Sequence, residues 1–309
     1  MKFRVGIFIG VFVLSLFSAN LFAKSCRETI PSLICEVAAP IKEPDRYKDN
    51  RTCLPLDTSK YQKLILQAFS AYPKFVQDQF CSLKKIYIEQ EFFGPAWSTP
   101  VDENNPSEIL IGLRKKDLDA QVDLQDYGSW FEQQSFGGLQ DFKVQPDLPI
   151  IMIAPKTIAS KPFLLFTFLH ELGHSFDYQK HYNRSKDDPK FAGSWTSLQW
   201  SDINQIQHQF DFKERKSICL NNCNGTYLAP LKASLLYRDL FSHGFVSQLS
   251  ATNAMEDFAD SFAYYVMSNY MGAQFVVVAN KQNFPVSDFI NGRAFKKKLI
   301  YLQEQFPRP

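Results

Sequence analysis

Histidine is scarce in this chain, five in 309 residues, so the position of each one carries information. Charge of one sign is not in excess. The formal charge is +2, and it falls to zero when residues 1–23 are set aside, because they hold Lys2, Arg4 and no acid. Acidic and basic residues are interspersed along the rest. Such a balance leaves no electrostatic case for nucleic-acid binding. Beyond residue 23 no run is long and apolar enough to cross a bilayer, so no stable membrane insertion is expected after that point. Internal repeats and low-complexity tracts are absent as well, which argues against a repeat architecture. No second close cysteine pair accompanies Cys219 and Cys223, so they do not read as half of a metal site.

What the first residues do have is a secretory signature. Lys2 and Arg4 make a positive start, Val5 to Phe17 is apolar, and Ala23 is a small residue suited to cleavage. The apolar run is short for an anchor. Ala23-Lys24-Ser25 before Cys26 is a poor lipid-attachment box because of its lysine. The chain is therefore expected to be secreted, into a periplasm or outside the cell. Cys26, Cys35, Cys53, Cys81, Cys219 and Cys223 all lie beyond the signal, and an even count in that setting suggests disulfides. Proximity along the chain favours Cys26–Cys35, Cys53–Cys81 and Cys219–Cys223. Asn183-Arg-Ser185 and Asn224-Gly-Thr226 match the glycosylation acceptor pattern.

Two of the five histidines fall in His170-Glu-Leu-Gly-His174. Residues four apart share a helix face, so both imidazoles can reach one ion. Zinc takes imidazole nitrogen at roughly 2.0–2.1 Å and in catalytic sites keeps a position open for water. Glu171 lies beside that position and can act as general base. The apolar run Phe163 to Leu169 predicts a deeply buried helix, with Ser160 as its cap and Pro162 in its first turn. Leu148 to Ala154 reads as a strand leading into it. The bland alternative is a helix that merely contains two histidines. A third ligand decides between them.

Glu256-Asp-Phe-Ala-Asp260 supplies the candidate. Asn253 is a plausible helix cap, and Glu256 and Asp260 lie one turn apart on one face. A buried carboxylate pair is costly unless it is hydrogen-bonded or on a metal. Zinc held by His170, His174 and Glu256, with Asp260 holding an imidazole N–H, would relieve that cost. The dipole at a helix start explains Glu256 and Asp257 equally well, but not Asp260 deeper in the helix.

The pair of motifs, HELGH followed by Glu-x-x-Ala-Asp, resembles the gluzincin branch of zinc peptidases. The stretch Ser250 to Tyr265 is similar to the third-ligand helix of neprilysin-like and, above all, anthrax-lethal-factor-like peptidases. The likeness covers about 148–265. It implies a zincin-like α+β fold, a small twisted sheet over the active-site helix and a mostly helical C-terminal part. It implies one zinc on His170, His174 and Glu256, with Glu171 as base and Asp260 behind His170. It also places Asp177 behind His174, although on residues alone Asp177 is equally an ordinary aspartate late in a helix. The implied activity is an endopeptidase acting on peptide or protein substrates.

One departure from that family matters. Its members carry a tyrosine seven residues before the metal glutamate, where this chain has Leu249. Leucine donates no hydrogen bond, and losing one oxyanion donor commonly costs roughly 10²–10³ in rate. Tyr227, Tyr237 or His243 could substitute. Otherwise turnover is slow, or the chain is a zinc-bearing protein that binds peptides without cutting them.

The remaining organisation is coarser. Residues 24–56 read as an irregular, disulfide-pinned arm, and 57–309 as one domain with an insert at 178–245. Thr58 to Phe80 has helical period, broken at Pro73. Ile86 to Phe92 and Glu108 to Leu113 read as strands that would join Leu148 to Ala154 in one sheet, with one exposed edge for an extended peptide. The insert is too long to be structureless and could wall the cleft. Phe295 to Phe306 reads as a docked closing helix whose lysines sit opposite Leu299, Ile300 and Leu302.

Overall fold

Strands Ile34–Val37 (β1), Leu83–Glu89 (β2), Ala96–Pro100 (β3) and Ile109–Arg114 (β4) form a four-stranded sheet in the order β1-β2-β4-β3. The computed structural model of the chain describes residues 26–308 apart from 41, 93, 139–141, 221, 222 and 224. The expected signal at 1–23 and the acceptor Asn224 lie outside the described residues. β1, β2 and β4 run parallel, and β3 is antiparallel to β4 at the edge. Ile109 to Leu113 are buried without interruption, as parallel strands covered on both faces should be. Gly112 answers its cross-strand neighbour: an added Cβ would stand 2.1 Å from Trp97 Nε1.

Helices Ser59–Ala71 (α1) and Lys74–Phe80 (α2) are split at Pro73, as the sequence predicts. They pack with the helix that carries HELGH, Leu164–Lys180 (α4), against one face of the sheet. That face presents Ile86, Ile88, Ile109 and Ile111 to the main core. Cys35, Val37, Tyr87, Trp97 and Leu110 form a small cluster on the other face.

This division corrects the expected disulfides. The bonds are Cys26–Cys81, Cys35–Cys53 and Cys219–Cys223. Cys26 belongs to the main core and Cys35 to the opposite face, so the sheet stands between two cysteines that are close in sequence. Residues 24–56 are likewise not wholly irregular. Ile34 to Val37 are all buried, and β1 adds a parallel strand beside β2.

A second sheet holds Ile150–Ala154 (β5), Gln274–Ala279 (β8) and Gln282–Pro285 (β9), all antiparallel. The expectation of one sheet containing β2, β4 and β5 is therefore wrong. β5 pairs instead with β8, whose Val276-Val-Val278 run stands opposite Ile150, Ile151 and Met152. The outer edge of β5 is covered by helix Leu124–Gln133 (α3), whose Ser129 and Gln125 side chains accept from Ile151 N–H and Ile153 N–H.

The start of α4 also differs from expectation. Ser160 closes a preceding turn of helix at Lys156–Ala159, Pro162 bridges to Asp123, and α4 begins at Leu164. The helix that carries Glu256 and Asp260, Ala254–Tyr270 (α6), is capped by Asn253, whose side chain accepts from Met255 N–H and Glu256 N–H. Gly173 lets α4 and α6 touch: a Cβ there would be 2.9 Å from Ala259 Cα.

The insert contains a hairpin, Trp200–Asp202 (β6) with Gln205–Ile206 (β7), and helix Ala233–Ser242 (α5). Trp195 and Trp200 are fully buried, so much of it is packed structure. Asn183 bonds Asp177 and Thr196 through both ends of its amide. The closing helix, Lys296–Gln305 (α7), buries Leu302 and is followed by buried Phe306. Its lysines do not all face water, contrary to the pattern reading. Lys298 is 1% exposed and Ile300 is 43% exposed. The Asp257 carboxylate and the rings of Trp195, Phe245 and Phe295 receive the Lys298 ammonium. Among the described residues no helix is long and apolar enough to cross a membrane.

Candidate metal centre

α4 places His170 and His174 one turn apart, and α6 lays Glu256 across them. His170 Nε2 lies 3.1 Å from His174 Nε2 and 3.1 Å from Glu256 Oε2, and His174 Nε2 lies 3.5 Å from the same oxygen. Ligands bound to zinc at roughly 2.0–2.1 Å in a tetrahedron stand about 3.3 Å apart. The three separations bracket that value, so two imidazoles and a carboxylate fit one ion.

Protonation agrees with that use. His170 Nδ1 is 2.7 Å from Asp260 Oδ1. A carboxylate only accepts, so Nδ1 carries the proton and Nε2 turns its lone pair toward the metal position. Ser247 donates to the other Asp260 oxygen. Burial works against a charged His170, but Asp260 and Glu256 outweigh it and raise the ring well above its usual pKa. Burial also opposes the Glu256 carboxylate, yet His174 and His170 hold it far below the usual range. The imidazoles and the carboxylates thus favour one another's charged forms.

Glu171 is 4% exposed, and its Oε2 has no hydrogen-bond partner among the described residues. Burial lifts its carboxyl above the ordinary value, with Glu256 adding to the lift and the two histidines opposing it. Asp177 does not reach His174. Its oxygens accept Asn183 N–H at 2.6 Å and Asn183 Nδ2–H at 2.9 Å, so it ties down the turn after α4, and His174 Nδ1 has no partner among the described residues. The tight turn beyond His181 brings Asn183 to Asp177 before any imidazole can.

The triad opens on a cavity of about 540 Å³, in the range of ligand sites. One wall is β3. The bonds Val101 N–H to Glu108 O and Arg114 N–H to Pro95 O put odd-numbered residues in register with β4. Ala96 and Ser98 therefore turn their backbone groups away from the sheet. The opposite wall comes from α3, β5 and Phe275 of β8. Ile203 and Asn204 of the insert also line the cavity, and Ile203 O accepts Ala254 N–H at the start of α6.

Leu249 lines the cavity, whereas Tyr227, Tyr237 and His243 do not. Tyr237 is buried against Glu132, and His243 bonds Asp239 O. The tyrosines in the lining are Tyr127, Tyr178 and Tyr264. Sequence reading missed Ser247, the β3 edge and Glu132. Glu132 had a visible signal: it falls eight residues after Leu124, on the apolar stripe of α3 with Tyr127, Gly128 and Phe131. The chain matches no protein-family model, no curated protein and no solved structure.

Proposed function

We propose that the protein is a secreted zinc endopeptidase of zincin-like design. The observation that carries this reading is the His170–His174–Glu256 triad, set beside a buried Glu171 whose Oε2 has no partner among the described residues, on the wall of a cleft. His170, His174 and Glu256 would hold the ion. When bound there, zinc supplies Lewis acidity and lowers the pKa of water. Glu171 takes a proton from the attacking water and delivers it to the leaving nitrogen. Asp260 fixes the His170 ring. The outward backbone groups of Ala96 and the Ser98 N–H suit an extended peptide added as a strand, while the Ser98 carbonyl already accepts the Tyr178 hydroxyl at 3.2 Å. Secretion is supported by three disulfides, which persist in oxidising compartments.

Leu249 in the cavity favours a second reading, a zinc-bearing protein that captures peptides without cutting them. Turnover of a broad peptide library separates the two, with chelator and Glu171→Gln controls. Chelator-sensitive cleavage lost in Glu171→Gln supports the peptidase. Binding without cleavage in zinc-loaded protein supports the second reading, and cleavage unaffected by Glu171→Gln would remove the assigned base.

A further inference from the structure

The cavity contains a carboxyl group that the metal chemistry leaves unused. Glu132, near the end of α3, is 3% exposed and lines the cavity. Its Oε2 accepts the Tyr237 hydroxyl and, at 2.7 Å, Gln248 Nε2–H. Its Oε1 accepts no hydrogen bond from the described residues. Oε1 is not one of the described side-chain atoms that are both sealed from solvent and unpartnered, so it opens on the cavity and is accessible from there. Two donors fix the group through one oxygen while the other is left open.

The surroundings define what could fill that gap. Tyr127, Phe131, Ile151, Phe166, Tyr264 and Phe275 give the cavity apolar walls. None of the described residues in its lining is a lysine or arginine. Asp260 is engaged by His170 and Ser247, Glu256 faces the metal position, and Glu171 has the proton-transfer role. Glu132 is the remaining acid. Long basic side chains lay methylenes on apolar surface and present a charged head, and a charged donor makes the stronger bond to a carboxylate.

We propose that Glu132 is the base of a specificity subsite for a cationic side chain, lysine or arginine, of the bound peptide. The stem lies on the aromatic and aliphatic walls, and the charged head donates to Oε1. Calling the peptide a substrate rests on the peptidase reading; the cation site does not. Burial, helped by Asp260 and opposed by Tyr237 and Gln248, lifts this carboxyl to about 7, so a cation has charge to gain from it near neutrality.

The test reads binding without turnover, in zinc-loaded full-length protein carrying Glu171→Gln. Titration calorimetry compares peptides that differ only by lysine or norleucine, scanned position by position. It also compares n-pentylammonium with n-pentanol as free probes. At one position lysine should bind roughly tenfold to a hundredfold more tightly, and n-pentylammonium should outbind the alcohol. Adding Glu132→Gln should erase both preferences. Should that variant fail to fold, the contrasts in the parent still decide. Equal affinities at every position and for both probes overturn the subsite, whether or not any peptide is cut. Amine selectivity without cleavage by the active protein would keep the subsite and overturn the peptidase.

Discussion

Asp260 joins two elements that sequence separates: its Oδ1 stands 2.7 Å from His170 Nδ1, and its Oδ2 takes the Ser247 hydroxyl. A partner that fixes the tautomer of a ligating imidazole is commonly worth about 10–100-fold in metal affinity. Asp260→Asn should therefore weaken zinc by about that factor in competition with a chromogenic chelator. Ser247→Ala should cost less, because it touches the ligand only through Asp260. Unchanged affinity in Asp260→Asn would mean that packing alone holds the His170 ring.

Gly173→Ala is expected to act on the same site through helix spacing. Alanine at a helix interior gains about 1 kcal/mol over glycine in propensity. Against this, the new Cβ would meet Ala259 Cα at 2.9 Å, and backbone cannot step aside like a flexible side chain. Overpacking of this kind costs about 1–3 kcal/mol. The variant should lose net stability in denaturant melts and bind zinc more weakly as α6 is pushed off α4. A gain in stability at unchanged zinc affinity would show that the helices have slack.

Both helices that carry the candidate ligands were legible in the sequence because their information is local. His170 and His174, and Glu256 and Asp260, are pairs at helical spacing, and the Asn253 cap lies within three residues of the bonds it makes. The division of α1 from α2 at Pro73 is equally local. What failed was non-local. Ala96–Pro100 lacks the β-branched pattern of a strand, yet β4 pairs with it over its whole length. The partner of β5 lies over a hundred residues away in a region read as helical. Cys26 and Cys35 are close in the chain and on opposite faces of a sheet. Asp177 matched a family pattern, but a nearer amide competes for both of its oxygens.

Lys298 illustrates the same limit and gives a sharper test. Its Nζ is 2.6 Å from Asp257 Oδ1 and 2.8 Å from Gly244 O, and Trp200 Nε1 donates to Asp257 Oδ2. Burial lowers the ammonium to about 8 against the pull of Asp257. Removing one member of a buried pair leaves the other charge uncompensated, at about 3–5 kcal/mol. Lys298→Met should lose roughly that much in urea melts, and Lys298→Met with Asp257→Asn should lose less. Strict additivity would mean that the two groups do not depend on each other. Since Asp257 adjoins Glu256, the single variant should also release zinc more readily.

The last expectation concerns pH and the carboxyl of Glu132. Burial is the main cause that holds it at about 7 in the folded protein, against about 4.3 for an exposed glutamate. A raised carboxyl means that the folded state binds the proton more tightly than the unfolded chain. Its contribution is full below the unfolded pKa and is lost as pH rises through the folded one. The window therefore runs from about 4.3 to about 7, and the loss across it is on the order of 3 kcal/mol. Glu132→Gln cannot ionise and keeps an acceptor for Tyr237 and Gln248. With zinc saturating throughout, the stability of the variant relative to the parent should rise by roughly 2 kcal/mol between about pH 5 and about pH 8. A difference that does not change with pH would mean that the Glu132 carboxyl titrates as an exposed one does, and that its burial carries no electrostatic penalty.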